Sequence, residues 1–182
     1  MAAVKPKTIS QLSDSDGQKA EVSGQEVVAP EDYMKHPLQN NLYNHIQLSS
    51  NLMPGCDYSL FKDGIEPMWE DERNKRGGRW LITLSKQQRW SDLDRYWLET
   101  LLCLVGEAFD DHSDDVCGAV VNIRPKGDKI SIWTSDSENK EAVTHVGRVY
   151  KDRLGIPSSI GYQLHADTAI KSGSSTKNKF VV

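Results

Sequence analysis

Gly118-Ala-Val-Val-Asn-Ile-Arg-Pro-Lys-Gly-Asp-Lys-Ile-Ser-Ile-Trp-Thr134 reads as two short extended runs around a polar turn, and it decides the fold class. Its β-branched residues suit a pleated surface, so Gly118 to Arg124 and Ile130 to Thr134 are predicted strands. The turn Lys126-Gly-Asp-Lys129 joins them as a β-hairpin. Asn122, Arg124 and Lys126 recur every second residue and share a face if extended, while Val121 and Ile123 take the other. Working outward, the same pattern predicts strands at Tyr58–Phe61, Arg79–Thr83, Ile160–His165 and Phe180–Val182.

Two segments carry helical period instead. Ser91-Asp-Leu-Asp94 resembles a capping box with Ser91 as N-cap, opening a helix to about Gly106. Leu93, Trp97, Leu101 and Leu104 form one stripe on it. Leu98, Leu102 and Val105 form a second, roughly 100° around the axis. One docked face does not need both. The other helix is predicted from Glu138 to Leu154, with Val143, Val146, Tyr150 and Leu154 inward and Gly155 then Pro157 as stop signals. Short strands with two helices between them predict an α+β fold, an antiparallel sheet with helices on one face.

A chain of 182 residues is sized for one domain with a tail. Residues 1–30 are rich in Ser, Asp, Gln, Lys and Glu without apolar period, and are expected to be a disordered tail ahead of a domain over 31–182. A formal net charge of −4 argues against sequence-independent binding along a nucleic-acid backbone, which needs a broad excess of cations. Cys56, Cys103 and Cys117 are too scattered for a disulfide framework or a zinc site and read as reduced thiols. No membrane segment or secretory start is evident, which favours the cytosol.

Chemistry concentrates in two places. Arg124 and Lys126, with Lys129 just past the turn, gather three cations at one end of the hairpin, which suits a phosphate chain; the alternative is a solvated turn. Trp69 and Glu70 stand side by side in a segment with neither period. An indole stacks on a base, more strongly on a cationic one, and a neighbouring carboxylate accepts hydrogen bonds from guanine's donors. The alternative has Trp69 folded onto the core and Glu70 solvated. Enzyme constellations are poorly supported: the five histidines lack zinc spacing, and no nucleophile-elbow or phosphate-loop motif occurs.

Longer blocks carry a resemblance. His36-Pro-Leu38, Asn44-His-Ile-Gln-Leu-Ser-Ser50, Gly55 through Glu72, Arg76-Gly-Gly-Arg-Trp80 and Thr144-His-Val-Gly-Arg-Val-Tyr150 are similar to the eukaryotic translation initiation factor 4E family, the messenger-RNA cap-binding proteins. The resemblance implies a curved antiparallel sheet with helices packed on its convex face and a 7-methylguanosine cap on the concave side. It implies that Trp69 stacks on the methylated base, Glu70 binds its edge and Trp133 touches the methyl group. Arg124 and Lys129, assisted by Lys126 and Arg79, would hold the phosphates. His36, Pro37, Leu38, Leu98, Glu99, Leu102 and Gly106 would form the groove for helical Tyr-x-x-x-x-Leu motifs of 4G-type scaffold and 4E-binding repressor proteins, which accounts for the second stripe. Ser174 matches the family's regulatory phosphoserine. Capped messenger RNA and those proteins are the implied partners of a monomer without cofactor, in the cytoplasm with a nuclear pool.

The chain departs from the family in one stretch. After Gln39-Asn40 a strand, a loop with a second cap-stacking tryptophan, a further strand and the start of a helix are absent, and Asn41-Leu-Tyr43 resumes inside that helix. Trp90 stands where the family has a basic residue. One aromatic wall is thus lost, and cap affinity is expected to fall roughly ten- to a hundred-fold. If the missing strands lie within the sheet, their neighbours expose unpaired edges. The alternative function is a cap-deficient decoy that still binds Tyr-x-x-x-x-Leu helices.

Overall fold

The computed structural model describes residues 45–170 and 177–182. The disordered-tail expectation, His36, Pro37, Leu38 and Ser174 therefore lie outside the described residues. The strands are β1 (Asp57–Phe61), β2 (Gly78–Leu84), β3 (Val116–Asn122), β4 (Asp128–Thr134), β5 (Gly161–Leu164) and β6 (Phe180–Val181). The helices are α1 (Asp94–Val105), α2 (Lys140–Leu154) and the short α3 (His165–Ile170). The six strands form one curved, wholly antiparallel sheet in the order β1-β3-β4-β2-β5-β6. β1 and β2 follow one another in sequence but are separated in the sheet by β3 and β4, so loop 62–77 crosses three strand spacings, about 14 Å.

The alternation in the hairpin sorts the strand residues as expected. Val121, Ile123, Ile130 and Ile132 join Trp80, Ile82 and Tyr162 in a single core against Leu93, just ahead of α1, Tyr96, Trp97 and Leu101 of α1, and Val143, Val146, Tyr150 and Leu154 of α2. Both long helices therefore cover the same, convex face. Two polar pairs are buried in this layer: the hydroxyls of Thr100 and Tyr150 lie 2.7 Å apart and those of Thr134 and Tyr162 2.6 Å apart. Each hydroxyl keeps a partner out of water, and burial raises both phenols above the usual tyrosine range.

Several local expectations are corrected. Ser91 does not cap α1; its hydroxyl donates to Asp92, and a π-helical turn, Arg89–Leu93, precedes the helix. Asp94, expected as the acidic N3 partner, instead accepts from the Ser50 backbone N–H at 2.9 Å and the Ser50 hydroxyl at 2.5 Å. Helix α2 begins at Lys140 because the Asn139 side chain accepts from the Ala142 N–H at 3.2 Å, and it ends at Gly155 with φ of 65°. β5 stops at Leu164, and His165 opens α3. The described strands are contiguous, each hydrogen-bonded to the next, so no internal gap interrupts the sheet; β1 is its terminal strand among the described residues.

The second stripe of α1 is what distinguishes that helix. Leu98 and Leu102 are half-buried and Val105 is exposed, whereas Trp97, Leu101 and Cys103 are fully covered. Glu99 flanks the second stripe on the side away from the first and pairs with Arg153 of α2 at 2.9 Å. An apolar strip thus runs along the outer side of α1 to Gly106. Among the described residues no helix is long and apolar enough to cross a membrane.

Candidate functional site

The other face of the sheet carries few apolar residues. Phe61, Cys117, Val120 and Trp133 form a small separate cluster there, joined by Ile65 from the loop after β1. Phe61 meets Trp133 edge-on with centroids 5.4 Å apart. Its ring lies over Gly118, where a Cβ would stand 2.5 Å from the Phe61 ring and 2.4 Å from the Leu60 carbonyl, so only glycine fits. A bulge between Val116 and Gly118 lets Cys117 point to this face. Burial pushes its thiol up to about 11, so it is a packing group rather than a nucleophile at neutral pH.

The strand registers put most of the sequence-derived residues on this open face. Arg79 pairs with Trp133, and Asn122 pairs with Lys129, alternating with the core-facing positions. The aromatic residues gather at the Phe61–Gly118 end, and the cations at the Asp57–Asn122 end. Four residues separate those ends, about 13 Å at strand rise. That span is comparable to an extended nucleotide from base to terminal phosphate.

At the cation end the hairpin turn is built around a buried anion. Asp128, 0% exposed, accepts from Arg89 Nε at 2.7 Å, Arg89 Nη2 at 2.6 Å and the Arg124 backbone N–H at 3.0 Å. Arg89 Nη2 also donates to the Arg124 carbonyl at 3.1 Å. The Arg124 guanidinium lies in a fork with Asp57, at 2.6 and 3.0 Å. That bond holds its planar donors at the rim of the face and keeps them charged. Lys126 and Lys129 are exposed, with no carboxylate partner among the described residues.

At the aromatic end, loop 62–77 is pinned from within. Asn74, 0% exposed, donates through its amide to the Glu66 and Met68 carbonyls, both at 2.8 Å. Asp71 accepts from the N–H groups of Glu66 at 2.9 Å and Arg73 at 2.8 Å, and Cys117 Sγ donates to the Arg73 carbonyl. The apex of this closed loop presents Trp69, 45% exposed, and the exposed Glu70. A cavity of about 190 Å³ lies against the first part of the loop, lined by Ser59, Phe61, Lys62, Asp63, Gly64, Ile65, Glu66 and Pro67 and not by Trp69 or Glu70.

Two residues sit deeper than the sequence suggests. Trp133 is 7% exposed; its Nε1–H donates to Ser131 Oγ at 3.1 Å, and its ring packs 4.1 Å from His165. It therefore floors the cleft. Arg79 is four positions along β2 from Thr83, the partner of Lys129, so it lies beside Trp133 and His165 rather than among the hairpin cations. Burial lowers its pKa without removing its charge. His165 was missed by the sequence reading, which placed it in a strand. Burial, and then the Arg79 guanidinium, push its imidazole down to about 3, partly offset by a hydrogen bond to the Gly78 backbone.

The His165 shift has a sign that can be checked. Its folded pKa lies below the unfolded value of 6.5, so between those values the unfolded chain takes up a proton that the folded chain refuses. This contribution to stability is complete above pH 6.5 and is lost as the pH falls toward 3. Urea midpoints measured from pH 7 to pH 4 should fall, and His165→Gln should show a shallower slope. An unchanged slope in that variant would assign the acid sensitivity elsewhere.

Comparisons with known proteins bear on the family and the fold. The family model of eukaryotic initiation factor 4E matches residues 39–180. Eukaryotic translation initiation factor 4E-1A of Danio rerio is 65% identical over 216 aligned positions, covering 100% of both chains. The Homo sapiens eukaryotic translation initiation factor 4E is 63% identical over 218 positions, again with 100% of each covered. Both alignments are longer than this chain of 182 residues, so these relatives carry residues that it lacks. Among solved structures, Ascaris suum eIF4E-3 in complex with an m2,2,7G cap superposes with a TM-score of 0.71 at 50% identity, covering 78% of this chain and 77% of that one. C. elegans eIF4E-3 in complex with the 4E-binding protein Mextli gives 0.72 at 44% identity, covering 84% and 81%.

Proposed function

The chain belongs to the eukaryotic initiation factor 4E family, and on that premise we propose how its own residues carry the family's work. It is a cap-binding translation initiation factor and not an enzyme. Its partners are capped messenger RNA and the scaffold and repressor proteins that engage the family. The observation that carries the residue assignment is Trp69 with Glu70, half-exposed at the apex of a pinned loop over the aromatic end of a face whose other end is cationic. The base stacks on Trp69, Glu70 accepts from its edge, and Trp133 supports the pocket floor. Arg124, Lys126 and Lys129 take the phosphates. Arg79 acts at the base end, where its buried charge faces Trp133 and His165.

Recognition is reversible and involves no bond change, so affinity is the measure of function. Among the described residues the exposed indoles are Trp69 and Trp90, and Trp90 stands at the cation end, leaving one stacking wall for the base. We read the missing family segment, placed after about residue 40, as the second wall, and cap affinity is then roughly ten- to a hundred-fold below that of full-length relatives. Titrating the chain with 7-methylguanosine triphosphate and following tryptophan quenching tests this. Trp69→Ala should remove the remaining binding by a further ten-fold or more, and Glu70→Gln should weaken it less. Affinity equal to that of a full-length relative would overturn the single-wall reading, and unaltered binding by Trp69→Ala would overturn the site.

On the convex side the strip Leu98, Leu102 and Val105 beside Glu99 is the surface we assign to the partners' Tyr-x-x-x-x-Leu helices, whose apolar face matches its spacing. Phosphorylation at Ser174 and a cytoplasmic location with a nuclear pool belong to the same reading.

A further inference from the structure

Trp90 is 74% exposed, the most exposed large apolar side chain among the described residues, and cap recognition as set out above makes no use of it. A single exposed apolar residue is ordinary on a protein surface. Its surroundings are not. The turn that carries it leaves β2 where Leu84 pairs with Asp128 and Thr83 with Lys129, at the cation end of the open face. That turn is closed by hydrogen bonds from the Ser85 N–H to Gln88 Oε1 at 3.0 Å and from the Trp90 N–H to the Gln87 carbonyl at 3.3 Å. The neighbouring Arg89 side chain is bolted to Asp128 and the Arg124 carbonyl. The backbone at position 90 is therefore fixed relative to the phosphate-binding turn.

Lysines are the more exposed charges at this end of the face, and Asp92 and Asp94, which follow Trp90, are half-buried. Lys86, Lys126 and Lys129 are exposed without carboxylate partners among the described residues. The carboxylates close by each have a partner: Asp57 is engaged by Arg124, Asp128 by Arg89, Asp92 by Ser91 and Arg95, and Asp94 by the Ser50 N–H and hydroxyl. An exposed indole on a rigid turn that leaves the sheet at its lysine-bearing end, in a chain of net charge −4, has the chemistry of a stacking platform for single-stranded nucleic acid.

We propose that Trp90 stacks on a base of the RNA that continues beyond the cap phosphates, so that the protein distinguishes a capped RNA end from a free cap nucleotide. This rests on the cap reading, and the test separates the two. Calorimetry on the full chain compares 7-methylguanosine triphosphate with a capped tetranucleotide, in the parent protein, Trp90→Ala and Trp90→Phe. The capped tetranucleotide should bind the parent about ten-fold more tightly than the mononucleotide. Trp90→Ala should lose that gain while keeping mononucleotide affinity, and Trp90→Phe should retain most of it. A gain that survives Trp90→Ala overturns the proposal and leaves the cap reading standing. If the same variant instead weakens binding of a Tyr-x-x-x-x-Leu peptide, the indole belongs to a protein contact and the proposal fails. Absence of mononucleotide binding by the parent overturns the cap reading and this proposal with it.

Discussion

Arg89→Ala is expected to destabilise the protein by about 3–5 kcal/mol, because it strands a charge where water does not reach. Asp128 is fully buried, and two of its three hydrogen bonds come from the Arg89 guanidinium, itself only 15% exposed. Without that partner the carboxylate keeps a single backbone donor, the Arg124 N–H. The turn that presents Arg124, Lys126 and Lys129 is then free to rearrange, so cap affinity should fall alongside stability although Arg89 touches no ligand. A urea denaturation series measures the first effect and cap titration the second. Arg89→Ala combined with Asp128→Asn should recover a large part of the lost stability, since a neutral amide costs far less to bury unpaired than an anion. An unchanged urea midpoint in the single variant would show that the carboxylate finds solvent and that the pair is dispensable.

Trp80→Ala is expected to cost a similar amount, about 3–5 kcal/mol, for a different reason. The indole is 0% exposed at the centre of the helix-covered face, 5.3 Å from Tyr162, and its Nε1–H donates to the Val143 carbonyl at 2.9 Å. It packs directly against α2 because residue 147 is glycine; a Cβ there would stand 2.4 Å from the ring. Truncation opens a cavity and removes the additional side-chain hydrogen bond to the carbonyl of Val143, which keeps its place in the α2 ladder. The thermal midpoint should drop by roughly 10 °C for a chain of this size. Cap affinity measured well below that midpoint should change little, because the ring lies on the face opposite Trp69. Gly147→Ala tests the same contact from the other side, and loss of stability there without loss of helix content would confirm that the clash is with the indole.

The sheet and both long helices were legible because their apolar periods are uninterrupted: Val121, Ile123, Ile130 and Ile132 on one side of the hairpin, Val143 to Leu154 on α2. Helix starts were less so. Ser91 and Asp94 match a capping pattern, yet the Asp94 carboxylate is claimed by Ser50, 44 residues away, a bond no local pattern encodes. The same limit hid the site's supports. Trp69 beside Glu70 stood out as a tryptophan in a segment without period. Asp57, which orients Arg124 from 67 positions away, did not, and Asp128 read as one more polar residue of a turn. The resemblance pointed to Trp133 and Arg79 at the cap site but carried no information about how deeply Phe61 and His165 cover the Trp133 ring.

The sheet order has a bearing on how the protein is made. A ribosome releases the chain from its N-terminus, and among the described residues β1 emerges before any strand it pairs with, since its neighbour is β3 and not β2. The loop that carries Trp69 is strung between two strands whose spacing is set only when the hairpin ending at Thr134 is complete. The nascent polypeptide therefore has no cap pocket until Thr134 has been added and has left the ribosome, and a product terminated before that point cannot compete for messenger RNA.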